Sequence, residues 1–240
     1  MGYIKIDLIL YLMYNNKLEI IKDRNDFLIC RICKEKVYKI YDKQFDLNYY
    51  KCSNCEFIFV EDKGLPNQDI DLKVYNLHNN SFENEGYVNM FRDFIKKGID
   101  PLNLKEAEVL EFGCGKGPVL ARLLEEKKYL VDKYDKYFYK KRVFENKKYD
   151  LITSTEVIEH IKEPLEIFEF FKKHLKKDGY LVITTLFHDN DDEKFKDWWY
   201  RRDQTHISFF TVKTLKTICI ILNLEFVYND DKNIFVVKNI

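Results

Sequence analysis

From residue 107 onward the chain alternates short β-rich runs with runs of helical period. Residues 109–112 read as a strand and 118–126 as a helix. Residues 129–131 lead a second strand that ends at Asp135, and 150–153 form a third. A helical stretch over 164–176 then precedes a fourth strand over 180–184. Strands separated by helices pair in parallel through right-handed crossovers, so this pattern predicts an open α/β sheet covered on both faces. The end of the chain breaks the rule. Residues 224–228 and 235–237 flank only Asn229-Asp-Asp-Lys-Asn233, a link too short for a crossover, which predicts a C-terminal antiparallel hairpin.

Upstream of this block, Ser81 starts a helical pattern through Phe82, Val88, Phe91, Phe94 and Ile95 that Gly98 and Pro101 end. Residues 61–80 are polar and turn-rich and read as a connector. Before them lie Cys30-Arg-Ile-Cys33 and Cys52-Ser-Asn-Cys55, with 18 residues between the pairs. That spacing suits a four-thiolate zinc site, each pair forming a knuckle that points two sulfurs at one ion. Cys-x-x-Cys pairs also occur as redox dithiols, but two pairs at ribbon spacing without a βαβ context favour a structural Zn2+. Neither second cysteine is followed by Gly; Lys34 and Glu56 stand there instead. Residues 37–40 and 47–51 predict a hairpin between the pairs. A unit of about 35 residues buries little apolar surface, so the metal is expected to supply most of its folding free energy. The expected organisation is an N-terminal segment 1–26 without an assigned role, a zinc ribbon 27–63, a linker and helix 64–104, and a main domain 105–240.

Length and composition then narrow the class. The 240 residues are 46% hydrophobic and 16% aromatic, enough for one large domain plus a small appendage and incompatible with global disorder. Lys+Arg and Asp+Glu are both 40, and only seven of the basic residues are Arg, so the positive field of a nucleic-acid or anionic-lipid binder is missing. The ribbon itself holds seven basic residues against six acidic ones over 27–63. The apolar run over 6–13 is far shorter than the roughly 20 residues of a membrane span. The polar Asn15, Asn16, Lys17 and Glu19 that follow it do not make a signal-peptide cleavage site. Met1-Gly2 lacks the downstream Ser or Thr of a myristoylation signal. A cytoplasmic protein is expected.

The best-defined chemistry begins at Glu111-Phe-Gly113-Cys-Gly115-Lys-Gly117-Pro118, where the first strand gives way to a helix. Glycines at this point let backbone N–H groups and a helix start approach a ligand closely. Asp135, 22 residues after Gly113 at the end of the next strand, is placed to accept ribose hydroxyls. The third glycine comes two residues after the second, unlike the nicotinamide-binding fingerprint.

These residues, with Tyr149-Asp150-Leu-Ile-Thr-Ser-Thr-Glu156-Val-Ile-Glu159-His160, Leu175-Lys-Lys-Asp-Gly179-Tyr-Leu-Val-Ile-Thr and the terminal hairpin, resemble a class I S-adenosylmethionine-dependent methyltransferase over about 105–240. The four-cysteine ribbon together with Asp203-Gln-Thr-His206-Ile-Ser-Phe-Phe210 is similar to a bacterial-type subgroup acting on small molecules or sugars. The resemblance implies a Rossmann-like, mostly parallel sheet and S-adenosylmethionine as cofactor. It also implies that Glu111, Gly113, Gly115 and Gly117 surround the methionine part, that Asp135 holds the ribose, and that Thr155 and Glu156 line the pocket beside the sulfonium. Only 14 residues separate Asp135 from Asp150, so the usual third strand is expected to be missing or reduced to 142–144.

His206 is the first candidate general base because an imidazole titrates near neutrality, with Asp203 orienting it or acting itself. The alternative is that Thr205 and His206 only anchor the following helix, whose start Thr211 suggests. Trp198, Trp199 and Tyr200 form either an aromatic lid or part of the core. His160 reads as structural, and Cys114 and Cys219 as small buried residues. The expected activity is methyl transfer to a small-molecule acceptor, perhaps a sugar or nucleotide-linked precursor. The runner-up is a zinc-ribbon rRNA or tRNA methyltransferase, which the charge balance disfavours.

Overall fold

The computed structural model describes residues 28–66 and 81–240. The expectations for 1–26 and for connector positions 67–80 lie outside the described residues. The ribbon contributes β1 (Val37–Asp42), β2 (Leu47–Cys52) and β3 (Ile58–Val60). There follow α1 (Glu85–Phe94), β4 (Glu108–Phe112), α2 (Val119–Glu126), β5 (Leu130–Tyr134), β6 (Tyr149–Thr155), α3 (Pro164–His174) and β7 (Leu175–Thr184). The chain closes with α4 (Asp192–Asp197), β8 (Ser208–Phe209), α5 (Val212–Leu222), β9 (Leu224–Asn229) and β10 (Ile234–Asn239).

The main sheet has the order β5-β4-β6-β7-β10-β9 among the described residues. β4 pairs in parallel with β5 and β6, β6 pairs in parallel with β7, and the β9–β10 hairpin joins antiparallel to β7. Parallel strands packed on both faces need continuous apolar runs, and Val109, Leu110, Leu151, Ile152, Leu181 and Val182 are all fully buried. As expected, the usual third strand is missing: residues 136–148 form turns, and Phe144 instead plugs the space beyond β5 against Tyr134 and Phe170. Fourteen residues cannot supply a crossover helix and a strand, so the sheet ends at β5.

The helix expected from Ser81 starts later, because Asn84 accepts the Tyr87 N–H and caps α1 at Glu85. It continues through a π-turn over Ile95–Ile99. A side chain at Gly98 would come within 2.9 Å of Val182 Cγ1, so glycine there lets this turn lie directly on the sheet.

The ribbon is sewn into the larger domain. β3 pairs antiparallel with β8, so the four-stranded sheet β1-β2-β3-β8 takes its last strand from beyond the Rossmann-like crossovers. Phe57 and Phe59 are buried in the same core as Leu110, Phe168 and Phe210, and the Asp42 carboxylate forms a buried ion pair with Arg201. The ribbon therefore has apolar contacts from the main domain in addition to whatever a metal supplies.

Candidate active site

The glycine turn leaves β4 at Phe112. Gly113 and Gly115 have φ of 82° and 65°, which an L side chain adopts only with strain. A Cβ on Gly113 would stand 2.3 Å from Val157 Cγ2, so the turn is also too crowded for a side chain. The N–H groups of Gly113 and Cys114 donate to the Tyr134 carbonyl at 2.8 and 3.2 Å, tying the turn to the end of β5. Asp135 reinforces this link: its Oδ2 accepts the Gly115 N–H at 3.0 Å, and its Oδ1 accepts those of Tyr137 and Phe138 at 2.8 and 3.0 Å. Each carboxylate oxygen has further acceptor capacity, so these bonds do not exhaust it.

Above the turn lies a cavity of about 360 Å3, at the C-terminal ends of β4, β5 and β6, where open α/β sheets bind ligands. Glu111, Gly113, Gly115, Asp135, Thr155, Glu156, Asp203 and His206 all contribute to its walls. The structure thus brings together every sequence-derived cofactor and base candidate except Gly117. That residue stands off the wall, its carbonyl accepting the Val119 N–H at the entrance to α2. Glu111 is buried, and its Oε2 has no hydrogen-bond partner among the described residues. Burial pushes its carboxyl up to about 8. An orphaned buried carboxyl oxygen beside a cradle without side chains fits a ligand carrying positive charge, as S-adenosylmethionine does.

The opposite wall comes from the β6 exit and the insertion after β7. Glu156 sits at φ 51°, its Oε1 accepting from Thr184 Oγ1 at 2.9 Å. Tyr200 is buried, with its hydroxyl 2.9 Å from Glu156 Oε2 and 2.7 Å from Glu159 Oε1. One phenolic proton cannot satisfy two carboxylates, and burial beside Glu156 raises Glu159 well above the usual carboxylate range. His206 Nδ1 donates to the Tyr200 carbonyl at 2.8 Å, and His160 Nδ1 to the Thr205 carbonyl at 2.9 Å. Burial and the neighbouring His206 push His160 down to about 3, so it is neutral. Asp203 lies close to His206 and also holds the Thr205 backbone. Its Oδ1 is engaged by the Thr205 N–H and hydroxyl, and its Oδ2 lies 3.8 Å from His206 Nε2.

The aromatic insertion is split between the core and the cavity rim. Trp198 packs on Phe195, Tyr200 and Phe209, while Trp199 is 66% exposed at the cavity rim. Thr211 does start α5, in a capping box with Thr214. Sequence reasoning named Tyr200 for an aromatic lid or the core and read His160 as structural; it did not single out Glu159, which lies behind this wall. The Glu156-x-x-Glu159-His160 spacing is the signal that carries it, because a single 3-10 turn over Ile158–His160 brings all three residues to one edge.

At the other end of the ribbon the four cysteines converge. One sulfur of each of Cys30, Cys33, Cys52 and Cys55 lies within 4.8 Å of the others, with Cys30–Cys55 at 3.5 Å and Cys33–Cys52 at 3.4 Å. A tetrahedral ion with bonds of about 2.3 Å spaces its sulfurs by roughly 3.8 Å. The knuckles are built alike: Ile32 N–H donates to Cys30 Sγ and Cys55 N–H to Cys52 Sγ, both at 3.4 Å. Lys34 and Glu56 occupy the expected glycine positions with φ of 62° and 68°, so the turn geometry is kept without glycine. Burial pushes Cys52 up to about 11, while the Cys55 thiol pulls Cys30 down to about 5; sulfurs this close can all be thiolates only with a cation between them. The donor set fits Zn2+. Cys114 and Cys219 are buried singly, as expected.

No helix among the described residues is long and apolar enough to cross a membrane. Comparisons with known proteins bear on the larger domain. No curated protein matches the sequence. Among solved structures, coclaurine N-methyltransferase bound to N-methylheliamine and SAH is 15% identical with a TM-score of 0.42, over 59% of this chain and 50% of that one. Magnesium protoporphyrin IX methyltransferase from Synechocystis PCC 6803 with bound SAM is 12% identical, with a TM-score of 0.47, over 65% and 80%. A SAM-dependent methyltransferase from Thermotoga maritima is 13% identical, with a TM-score of 0.43, over 71% and 98%. The chain thus spans half the length of the first of these. The family described as Methyltransferase domain matches residues 87–229, more than half of the sequence. The chain belongs to the methyltransferase-domain family.

Proposed function

We propose that the protein transfers a methyl group from S-adenosylmethionine to a small-molecule acceptor. The observation that carries this reading is the cavity above the Gly113–Gly115 turn, walled on one side by Glu111 and Asp135 and on the other by Thr155, Glu156 and His206. The bound cofactor supplies an electrophilic methyl group and a thioether leaving group. In this reading Glu111, Gly113 and Gly115 flank its methionine part, Gly117 shapes the turn into α2 behind them, Asp135 takes the ribose, and Thr155 and Glu156 border the sulfonium. Holding acceptor and methyl in line accounts for roughly 7–11 kcal/mol in favourable cases, so positioning is the main task of these walls. His206, fixed by the Tyr200 carbonyl at Nδ1, presents Nε2 as the basic nitrogen for an acceptor that must lose a proton. Asp203, 3.8 Å away, stabilises the resulting imidazolium. Trp199 stands at the cavity rim, where it can contact a bound acceptor.

The cysteine cluster is a structural zinc site whose task is to hold β3 against β8, which begins two residues after His206. A four-thiolate site with two further free thiols suits a reducing compartment, and we assign the protein to the cytoplasm. A balanced charge favours a small acceptor over RNA. Incubation with methyl-labelled S-adenosylmethionine and a size-fractionated cell extract tests the acceptor class. Label is expected in the small-molecule fraction; label confined to RNA overturns the reading.

A further inference from the structure

We propose that Glu159, His160 and His206 form a second metal site, distinct from the cysteine cluster, which takes a divalent cation of the Mg2+ or Mn2+ type at the cavity wall. One ring nitrogen of each histidine and one carboxylate oxygen of Glu159 lie within 4.8 Å of one another. An ion with bonds of about 2.1 Å spaces its ligands by roughly 3–4.2 Å, so small side-chain shifts close the set.

Three observations make this a built site rather than a chance cluster. Both histidines turn Nδ1 to a backbone carbonyl, Thr205 for His160 and Tyr200 for His206. A carbonyl only accepts, so Nδ1 of each ring carries a proton and Nε2 is the nitrogen that would take a metal. This is the outer-shell arrangement that fixes metal-ligating imidazoles. Glu159 is fully buried, and its Oε2 has no hydrogen-bond partner among the described residues. Its other oxygen is held by the Tyr200 hydroxyl at 2.7 Å, which sets the orientation of the carboxyl group. The two imidazole rings stand 4.9 Å apart in an edge-to-face arrangement, with His160 and His206 on the cavity wall and Glu159 behind them. The open coordination positions therefore lie on the cavity side.

The consequence deepens the methyl-transfer reading, on which this part rests. A hard cation there takes oxygen donors, so the acceptor class it selects is a hydroxylated molecule bound through one or two oxygens. His206 then acts by holding the cation.

Mn2+ is the probe, because thiolates select zinc while imidazole and carboxylate accept manganese. The full-length, zinc-loaded protein is titrated with Mn2+ and followed by electron paramagnetic resonance. One Mn2+ per chain is expected, with nitrogen couplings from two imidazoles in the electron spin echo. Glu159→Gln and His206→Gln are each expected to weaken binding at least tenfold. The wild-type nitrogen couplings keep the test decisive if a variant fails to fold. No bound Mn2+ at millimolar concentration, Mn2+ without imidazole coupling, or equal affinity in folded variants overturns the site. Protein that binds Mn2+ with imidazole coupling but does not bind S-adenosylhomocysteine supports the cation site and overturns the methyl-transfer reading instead.

Discussion

The Tyr200 hydroxyl lies 2.7 Å from the buried Glu159 carboxylate and joins the insertion after β7 to the exit of β6. Tyr200→Phe leaves Glu159 without that hydrogen bond in a place water does not reach. The expected cost is about 1–3 kcal/mol of stability, read from urea unfolding. A loss under about 0.5 kcal/mol, the range of an ordinary surface change, contradicts this role.

Glu111 predicts a pH dependence of known sign. Burial raises its carboxyl to about 8 from an ordinary 4.5. The Ala121 N–H and Lys133 act against burial, while Glu125 and Asp135 act with it. Between those two values the folded state keeps a proton that the unfolded state has released, so stability falls as pH rises through the window and is unaffected below it. Glu111→Gln, which mimics the protonated acid, should flatten that fall. Unfolding midpoints of both proteins measured across the window check this, and parallel curves contradict it.

Much of this was legible beforehand, and the exceptions share a cause. The parallel order, the terminal hairpin and the glycine turn follow from local pattern and spacing, because period and chain length constrain them directly. The pairing of β3 with β8 was not legible: it joins segments about 150 residues apart, and two-residue strands leave no period to read. His160 seemed structural because a Glu-His pair at a turn has many uses. Only the folded loop after Tyr200 shows that its partner is the Thr205 carbonyl and its neighbour His206. The knuckles at Lys34 and Glu56 show the converse, since the turn forms where its usual glycine is missing.

The ribbon's attachment predicts how metal loss spreads. Protein purified in reductant should contain one zinc per chain in the cysteine cluster, and Cys52→Ser should release it. Because β3 carries β8, amide exchange should then accelerate over residues 28–60 and also over 203–210. Acceleration restricted to the ribbon contradicts the coupling, and zinc-free wild-type protein contradicts the site.

Gly113→Ala tests the turn. The new Cβ meets Val157 Cγ2 at 2.3 Å on a backbone with φ of 82°. A loss of about 1–3 kcal/mol is expected from strain of this kind. Val157→Ala in the same chain removes the clashing methyl and should recover part of it. No recovery in the double variant contradicts the steric account.

The most direct measurement is calorimetric titration of S-adenosylhomocysteine into the full-length protein and into Asp135→Asn, which keeps the side chain's shape while removing its charge. A single site per chain is expected, weakened at least tenfold in the variant. Absence of binding by both S-adenosylmethionine and S-adenosylhomocysteine, or equal affinity in the two proteins, contradicts the placement of the nucleoside at the tips of β4 and β5.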